Sequence, residues 1–233
     1  MEKTLRAAVL LCLALLTLNG LAQSPAKSLV DPIKLFADWQ DHYAKAKDYS
    51  GTFRMQKAEG EIQAGTFIVR GERFRLVFPD KEITGDGTYL WEVNHRDHRV
   101  KRRHYDPYEA PAVVQLFRLV RLDMTSEVVG IASTGTPVVY LEIETGASVA
   151  QGSHALDIDP KTLEATGIRT HVNQGSWLES CDVAQVKLNQ GFAEETFTVS
   201  IDNFKGKGYT FVDMAKGENL TVLPEERALF PFE

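Results

Sequence analysis

The sequence predicts a mainly β domain: an antiparallel sandwich or barrel of roughly ten strands, preceded by one amphipathic helix. Three observations predict it. Apolar and polar residues alternate in segment after segment between residues 52 and 201, the mark of strands with one dry face. Turn-forming residues, Gly71-Glu72, Gly85-Asp86-Gly87 and Asp159-Pro160-Lys161, punctuate those segments. At 31–48 the aromatics instead recur every three or four residues, the helical spacing.

The first stretch, 1–22, reads as a cleaved secretory signal. Lys3 and Arg6 precede an apolar run from Ala7 to Leu18, and Gly20-Leu21-Ala22 supplies small residues for cleavage after Ala22. The run is shorter than the roughly 20 residues of a membrane span. Cys12 lies in mid-run, flanked by leucines, so it is not the cysteine of a lipoprotein signal. Export places the protein in an oxidising compartment, yet only Cys181 remains in residues 23–233. With no internal disulfide the fold depends on its core, and a cysteine-based zinc site is excluded. The net charge is −6, and losing Glu2, Lys3 and Arg6 makes it one unit more negative. That balance disfavours nucleic acid as a partner.

Residues 31–48 are the predicted helix. Asp31 suits the N-cap and Pro32 the first helical position; Leu35, Phe36, Trp39 and Tyr43 then share one face. The strands follow. Phe53 and Met55 alternate with Thr52, Arg54 and Gln56; Phe74, Leu76 and Phe78 with Arg73 and Arg75; Tyr89, Trp91 and Val93 with Glu92. A second helix is expected at 111–121, opened by Pro111, with Val113, Leu116, Phe117 and Val120 on one side. Strands resume with Leu141 and Ile143, Leu156 and Ile158, and Phe197, Val199 and Ile201. No linker, repeat or low-complexity block divides the chain, and 215–233 reads as a peripheral tail.

So many strands in one sheet favour curling into a barrel, which removes exposed edges. Phe53, Phe74, Phe78, Trp91 and Phe197 would then point inward, with Leu76, and the helix at 31–48 would cover the mouth. Whether side chains fill the interior or leave room for a ligand is open from the pattern alone. In "EITGDGTYLW", residues 82–91, the turn reverses the chain and sends Trp91 inside; Asp86 is a turn residue.

No nucleophile elbow, phosphate loop or paired-histidine zinc motif occurs, and no cofactor motif. His95, His98 and His104 cluster, but among Arg96, Arg99, Lys101, Arg102 and Arg103, whose charge disfavours a metal cation. That basic run reads either as a solvated strand whose charges prevent edge pairing or as a docking face, Arg99, Lys101 and Arg102, for an acidic partner or anionic lipid.

An ordered set of segments resembles the periplasmic outer-membrane lipoprotein carrier (LolA-type) family. They are "KDYSGTFRMQ" at 47–56, "GTFIVRGERFRLVFP" at 65–79, "TGDGTYLWEVN" at 84–94, "DIDPKTLEATGIR" at 157–169, "FAEETFTVSID" at 192–202 as the penultimate strand, and "GYTFVDM" at 208–214. The resemblance implies an open antiparallel barrel of roughly eleven strands over residues 23–214, with helices capping a hydrophobic cavity. It implies no enzyme and no cofactor, but a periplasmic carrier. Such a carrier takes acylated lipoprotein cargo from an inner-membrane release complex to an outer-membrane acceptor, with a monomer as the expected state. By the same resemblance Arg70 holds the lid (Leu35, Phe36, Trp39) closed, and Phe74 lies near the cavity entrance; the family's proline after that cation is Gly71 here. Two other readings stand beside it: a sensor of lipidated ligands that docks through the basic strand, and a hydrolase using Asp86 with a nearby histidine.

Overall fold

The computed structural model describes residues 31–58, 60–107, 110–123, 128–134, 139–145, 152–172 and 176–215. The signal segment expected at 1–22, with its cleavage after Ala22, and the tail expected beyond 215 lie outside them. The chain divides into two compact units after Asp31, and the larger begins at Pro32.

Helix α1 (Pro32–Ala44) buries Leu35, Phe36, Trp39, Gln40 and Tyr43. It stops four residues short of the predicted 48. There the Lys47 N–H donates to Asn189 Oδ1 at 2.8 Å, which turns the chain into the sheet. A meander follows: β1 (Tyr49–Lys57), β2 (Gln63–Arg70), β3 (Arg73–Val77), β4 (Lys81–Gly85), β5 (Tyr89–Asn94) and β6 (Arg99–His104). Helix α2 (Ala112–Leu119) then crosses back over β1, β2, β10 and β11. The chain restarts at the opposite edge with β7 (Val128–Thr134), β8 (Val139–Thr145), β9 (Gly152–Ile158), β10 (Ala165–Val172) and β11 (Ser176–Leu188). A 3-10 turn (Glu194–Phe197), a short helix α3 (Ile201–Lys205) and β12 (Thr210–Asp213) complete it.

The fold is thus mainly β. Among the described residues one sheet of twelve strands runs β12-β6-β5-β4-β3-β2-β1-β11-β10-β9-β8-β7. Neighbours are antiparallel except β12 on β6. The order does not close on itself, so the sheet is open, as the resemblance implied.

Two expectations need correction. Residues 196–201 are not a paired strand. Their alternation is real, but it serves an unpaired segment that lies across the sheet and buries Phe197 completely. Nor is β6 an edge kept free by its charges: it pairs with β5 on one side and β12 on the other. The hairpin between β2 and β3 also explains a departure from the family pattern. Gly71 has φ +59°, which proline, fixed near −65°, cannot adopt.

Each face of the sheet is covered by a different part of the chain. Side chains directly paired across strands share a face, so the registers sort them. Tyr49, Phe53, Phe67, Phe74, Leu76 and Ile83 lie on one face. There α2 packs, with Phe117 stacked on Tyr49 at 4.4 Å and beside Phe67 at 5.4 Å. Trp91, Val93 and Val100 lie on the reverse face, packed by Val199, Ile201, Phe204, Tyr209 and Phe211 from the C-terminal segment.

Candidate functional site

The helix-covered face is the candidate site. Glycine lets aromatic rings lie flat on it. A Cβ on Gly85 would come within 2.3 Å of Phe74 Cε1, and one on Gly65 within 3.1 Å of Phe53 Cζ and 2.2 Å of the Val77 carbonyl oxygen. Phe53 meets Phe78 edge-on at 5.2 Å, and Phe74 meets Tyr105 edge-on at 5.6 Å. Phe74 and Leu76 are wholly buried, and Phe53 and Phe78 nearly so. Helix α1 adds a second aromatic layer: Phe36 stacks on Trp39 at 5.5 Å, and Tyr43 lies 5.6 Å beyond and 6.1 Å from Tyr49. Directional bonds tie the two helices, the Gln40 side-chain amide donating to the carbonyls of Leu119 at 2.8 Å and Leu122 at 3.0 Å.

Several buried polar atoms of this region are unpaired. Among the described residues, Trp39 Nε1, Tyr105 Oη and Glu179 Oε1 are buried without a hydrogen-bond partner, whereas more than nine in ten buried polar groups ordinarily have one. Burial pushes the Tyr105 phenol up to about 12. Glu179 Oε2 accepts the Ala112 N–H at 2.8 Å and so caps α2. Burial raises its carboxyl above the usual range, against the opposing pull of that N–H and of Lys57. Burial likewise raises the Cys181 thiol, which makes it a poor nucleophile.

The remaining expected site residues lie on the reverse face. Trp91 does not join Phe74 inside: register pairs it with Thr84 and Arg102, and Asp86 holds its indole N–H at 2.8 Å. Phe197 lies under the guanidinium groups of Arg70 and Arg73, 5.0 and 5.5 Å from its ring centre. Arg70 is therefore not a pin on α1. Alternation turns it away from Val69's face, and it binds the Phe192 carbonyl, Glu194 (2.9 Å) and, at 3.7 Å, the buried Asp48 carboxylate. Asp48 in turn accepts the N–H groups of Gln190 at 2.7 Å and Gly191 at 3.1 Å. Arg73 also binds Glu194, whose carboxyl it holds below the usual range, aided by Arg70. What Arg70 holds is the start of the C-terminal segment.

Arg99, Lys101 and Arg102 do not form one docking surface. Consecutive strand positions face opposite sides: register puts Arg99 and Lys101 toward the helix-covered side and Arg102 on the reverse. Lys101 is 9% exposed. Arg102 binds both carboxylate oxygens of Asp213 and lies over the rings of Tyr89, Trp91 and Phe211. The histidines are also dispersed in role. His95 bridges Glu82 at 3.1 Å and the Tyr209 hydroxyl at 2.9 Å, and His104 reaches the Ala215 carbonyl at 3.2 Å. Local charge density in the sequence could not show Asp213, Glu194 or Asp48 as partners, because each is far away in the chain.

No family model matches the chain, and no curated protein does. Among solved structures it is similar to an uncharacterized conserved protein from Thermus thermophilus, at 11% identity and a TM-score of 0.45, over 78% of this chain and 98% of that one. It is similar to the LolA superfamily protein NE2245 from Nitrosomonas europaea, at 11% identity and 0.42, over 72% and 97%. It is similar also to the Pseudomonas aeruginosa MucA/MucB complex, at 18% identity and 0.36, over 71% of this chain and 61% of that one. These are likenesses of fold at low identity.

Proposed function

We propose that this protein is a non-enzymatic carrier in the periplasm. It shields the acyl chains of lipoproteins on the face beneath α1 and α2 and conveys them from an inner-membrane release complex to an outer-membrane acceptor. One observation carries the reading: α2 packs Phe117 against Tyr49 and Phe67 on the sheet face that also holds Phe53, Phe74 and Leu76, and α1 extends that apolar cover with Leu35, Phe36, Trp39 and Tyr43, each at most 4% exposed, joined to it through Tyr43 beside Tyr49 and Phe117. Apolar contact is non-directional. An acyl chain can insert beneath the helical cover and replace one set of apolar contacts with another, returning much of what the opening gives up.

The magnitudes favour a swap of this kind. Each methylene brought out of a bilayer into water costs about 0.8 kcal/mol, so a carrier must offer equivalent apolar cover. It must also hold less tightly than the acceptor does, or release stalls. A helix that closes the empty face and yields to cargo meets both demands. The resemblance carried by residues 47–94 and 157–169 supports the same reading, as does the secretory start of the sequence. The sensor alternative rested on a cationic surface of Arg99, Lys101 and Arg102, which the fold divides, so no observation favours it over transport.

Native mass spectrometry of the protein after incubation with a synthetic triacylated peptide tests the proposal. A stoichiometric complex, lost when Phe74 and Leu76 are both replaced by aspartate in a variant that still unfolds cooperatively, is the expected result. A protein that leaves the acylated peptide unbound at tens of micromolar is not a carrier.

A further inference from the structure

We propose that the indole N–H of Trp39 is the polar contact for the cargo, donating to the carbonyl of an ester- or amide-linked acyl chain; this rests on the carrier reading above. Trp39 is wholly buried, and among the described residues its Nε1 has no hydrogen-bond partner. It sits on the buried side of α1 between Phe36 and Tyr43. Trp91 is the contrast within the same chain: its indole N–H is satisfied by Asp86.

A phenylalanine would supply aromatic contact at position 39 without a donor. The indole burdens the closed protein with an unpaired, desolvated N–H. That group has a use if an acceptor arrives with the ligand. The acceptor must be one that an apolar layer tolerates. A carboxylate or phosphate would lose far more on leaving water than one neutral hydrogen bond restores. A carbonyl joined to a long alkyl chain enters with the chain and needs a single donor. The carbonyl also marks where the chain is attached to its glycerol or amine, so one N–H fixes how far the chain inserts.

The test uses the full secreted chain and two probes that differ only at the linkage. They are dipalmitoyl phosphatidylglycerol, with ester carbonyls, and its di-O-hexadecyl ether analogue, without them. Vesicles of each are the donors; bound lipid is read by native mass spectrometry and the three indole N–H resonances by 1H–15N NMR. The ester lipid is expected to bind about three- to tenfold more tightly, the worth of one hydrogen bond. The Trp39 indole proton should move downfield with the ester and not with the ether, while that of Trp91 stays put with both. Trp39→Phe should bind the two lipids equally, with the affinity wild type shows for the ether. Equal binding of the two lipids by wild type, or a preference that survives in Trp39→Phe, overturns the inference and leaves the carrier reading standing. Binding of neither lipid overturns the inference, and the carrier reading falls with it when the triacylated peptide also stays unbound. The wild-type ratio and spectra need no variant, so a poorly folded substitution does not block the test.

Discussion

Asp86 and Trp91 are tied directly: one carboxylate oxygen accepts the Trp91 indole N–H at 2.8 Å, and the other accepts the backbone N–H groups of Thr88 at 2.8 Å and Tyr89 at 2.7 Å. The turn and the aromatic strand after it are one unit, and the Trp91 side chain packs on the reverse face with Val93 and Val100. Asp86→Asn keeps one acceptor oxygen for three donors, so one is left unpaired. A loss of about 1–3 kcal/mol is expected, measured by urea denaturation, with lipid binding of the folded protein unchanged. Reduced acyl binding at unchanged stability would place Trp91 in the site after all.

Arg70→Leu should release the segment that begins at Gln190. It removes the partner of the Phe192 carbonyl and of Glu194, and leaves the Asp48 carboxylate without its nearby cation. The expected cost is about 1–3 kcal/mol, with faster amide exchange across residues 190–200 and no change in exchange along α1. Protection lost from α1 instead would restore the lid-pin role that the sequence resemblance implied.

The same clamp should weaken in acid. Glu194 is held below the usual carboxylate range by Arg73 and Arg70, so the folded state favours its ionised form. Its contribution is complete above the unfolded carboxylate pKa and is lost as pH falls through the lowered folded value. Glu194→Gln should therefore be less stable than wild type at neutral pH, and the two melting curves should converge at low pH. A gap independent of pH would mean that the carboxylate charge is irrelevant there.

Glu179 should behave oppositely. Burial raises its carboxyl, so the folded state favours the protonated form and stability falls as pH rises through the raised value. Glu179→Gln keeps an oxygen for the Ala112 N–H and carries no charge. It should match wild type in mild acid and melt higher at pH 8. If wild type instead gains on the variant as pH rises, the charged pairing with Lys57 outweighs burial.

Gly85→Ala should disturb the candidate site without touching α1. The new methyl would meet Phe74 Cε1 at 2.3 Å, so the ring must swing. Overpacking of this kind costs about 1–3 kcal/mol, and acyl binding should fall more than in Gly206→Ala, where the backbone is right-handed helical and a Cβ meets only ordinary contacts, at 3.4 Å and beyond. Equal effects at the two positions would show that Phe74's seat does not matter to the ligand.

Much of this protein was legible in its residues because it depends on neighbours in sequence. Asp31-Pro32 and the spacing of Leu35, Phe36, Trp39 and Tyr43 announce α1, since helix periodicity is local. Alternation marks most of the strands, and Gly85-Asp86-Gly87 marks a turn. What alternation cannot say is which of two dry faces a side chain joins, or whether an extended segment pairs at all. Phe74 and Trp91 alternate alike, yet the register of β4 between them puts one beneath the helices and the other under the C-terminal segment. Phe197, Val199 and Ile201 alternate as a strand does, yet they cover the sheet without joining it. Arg70 and Arg102 find their carboxylates, Glu194 and Asp213, more than a hundred residues away. The sequence alone thus determined the elements and the apolar character of a helix-covered sheet. The tertiary structure alone decided who shares a face and who holds whom, because those contacts come from strand register and chain return, which leave no local periodicity behind.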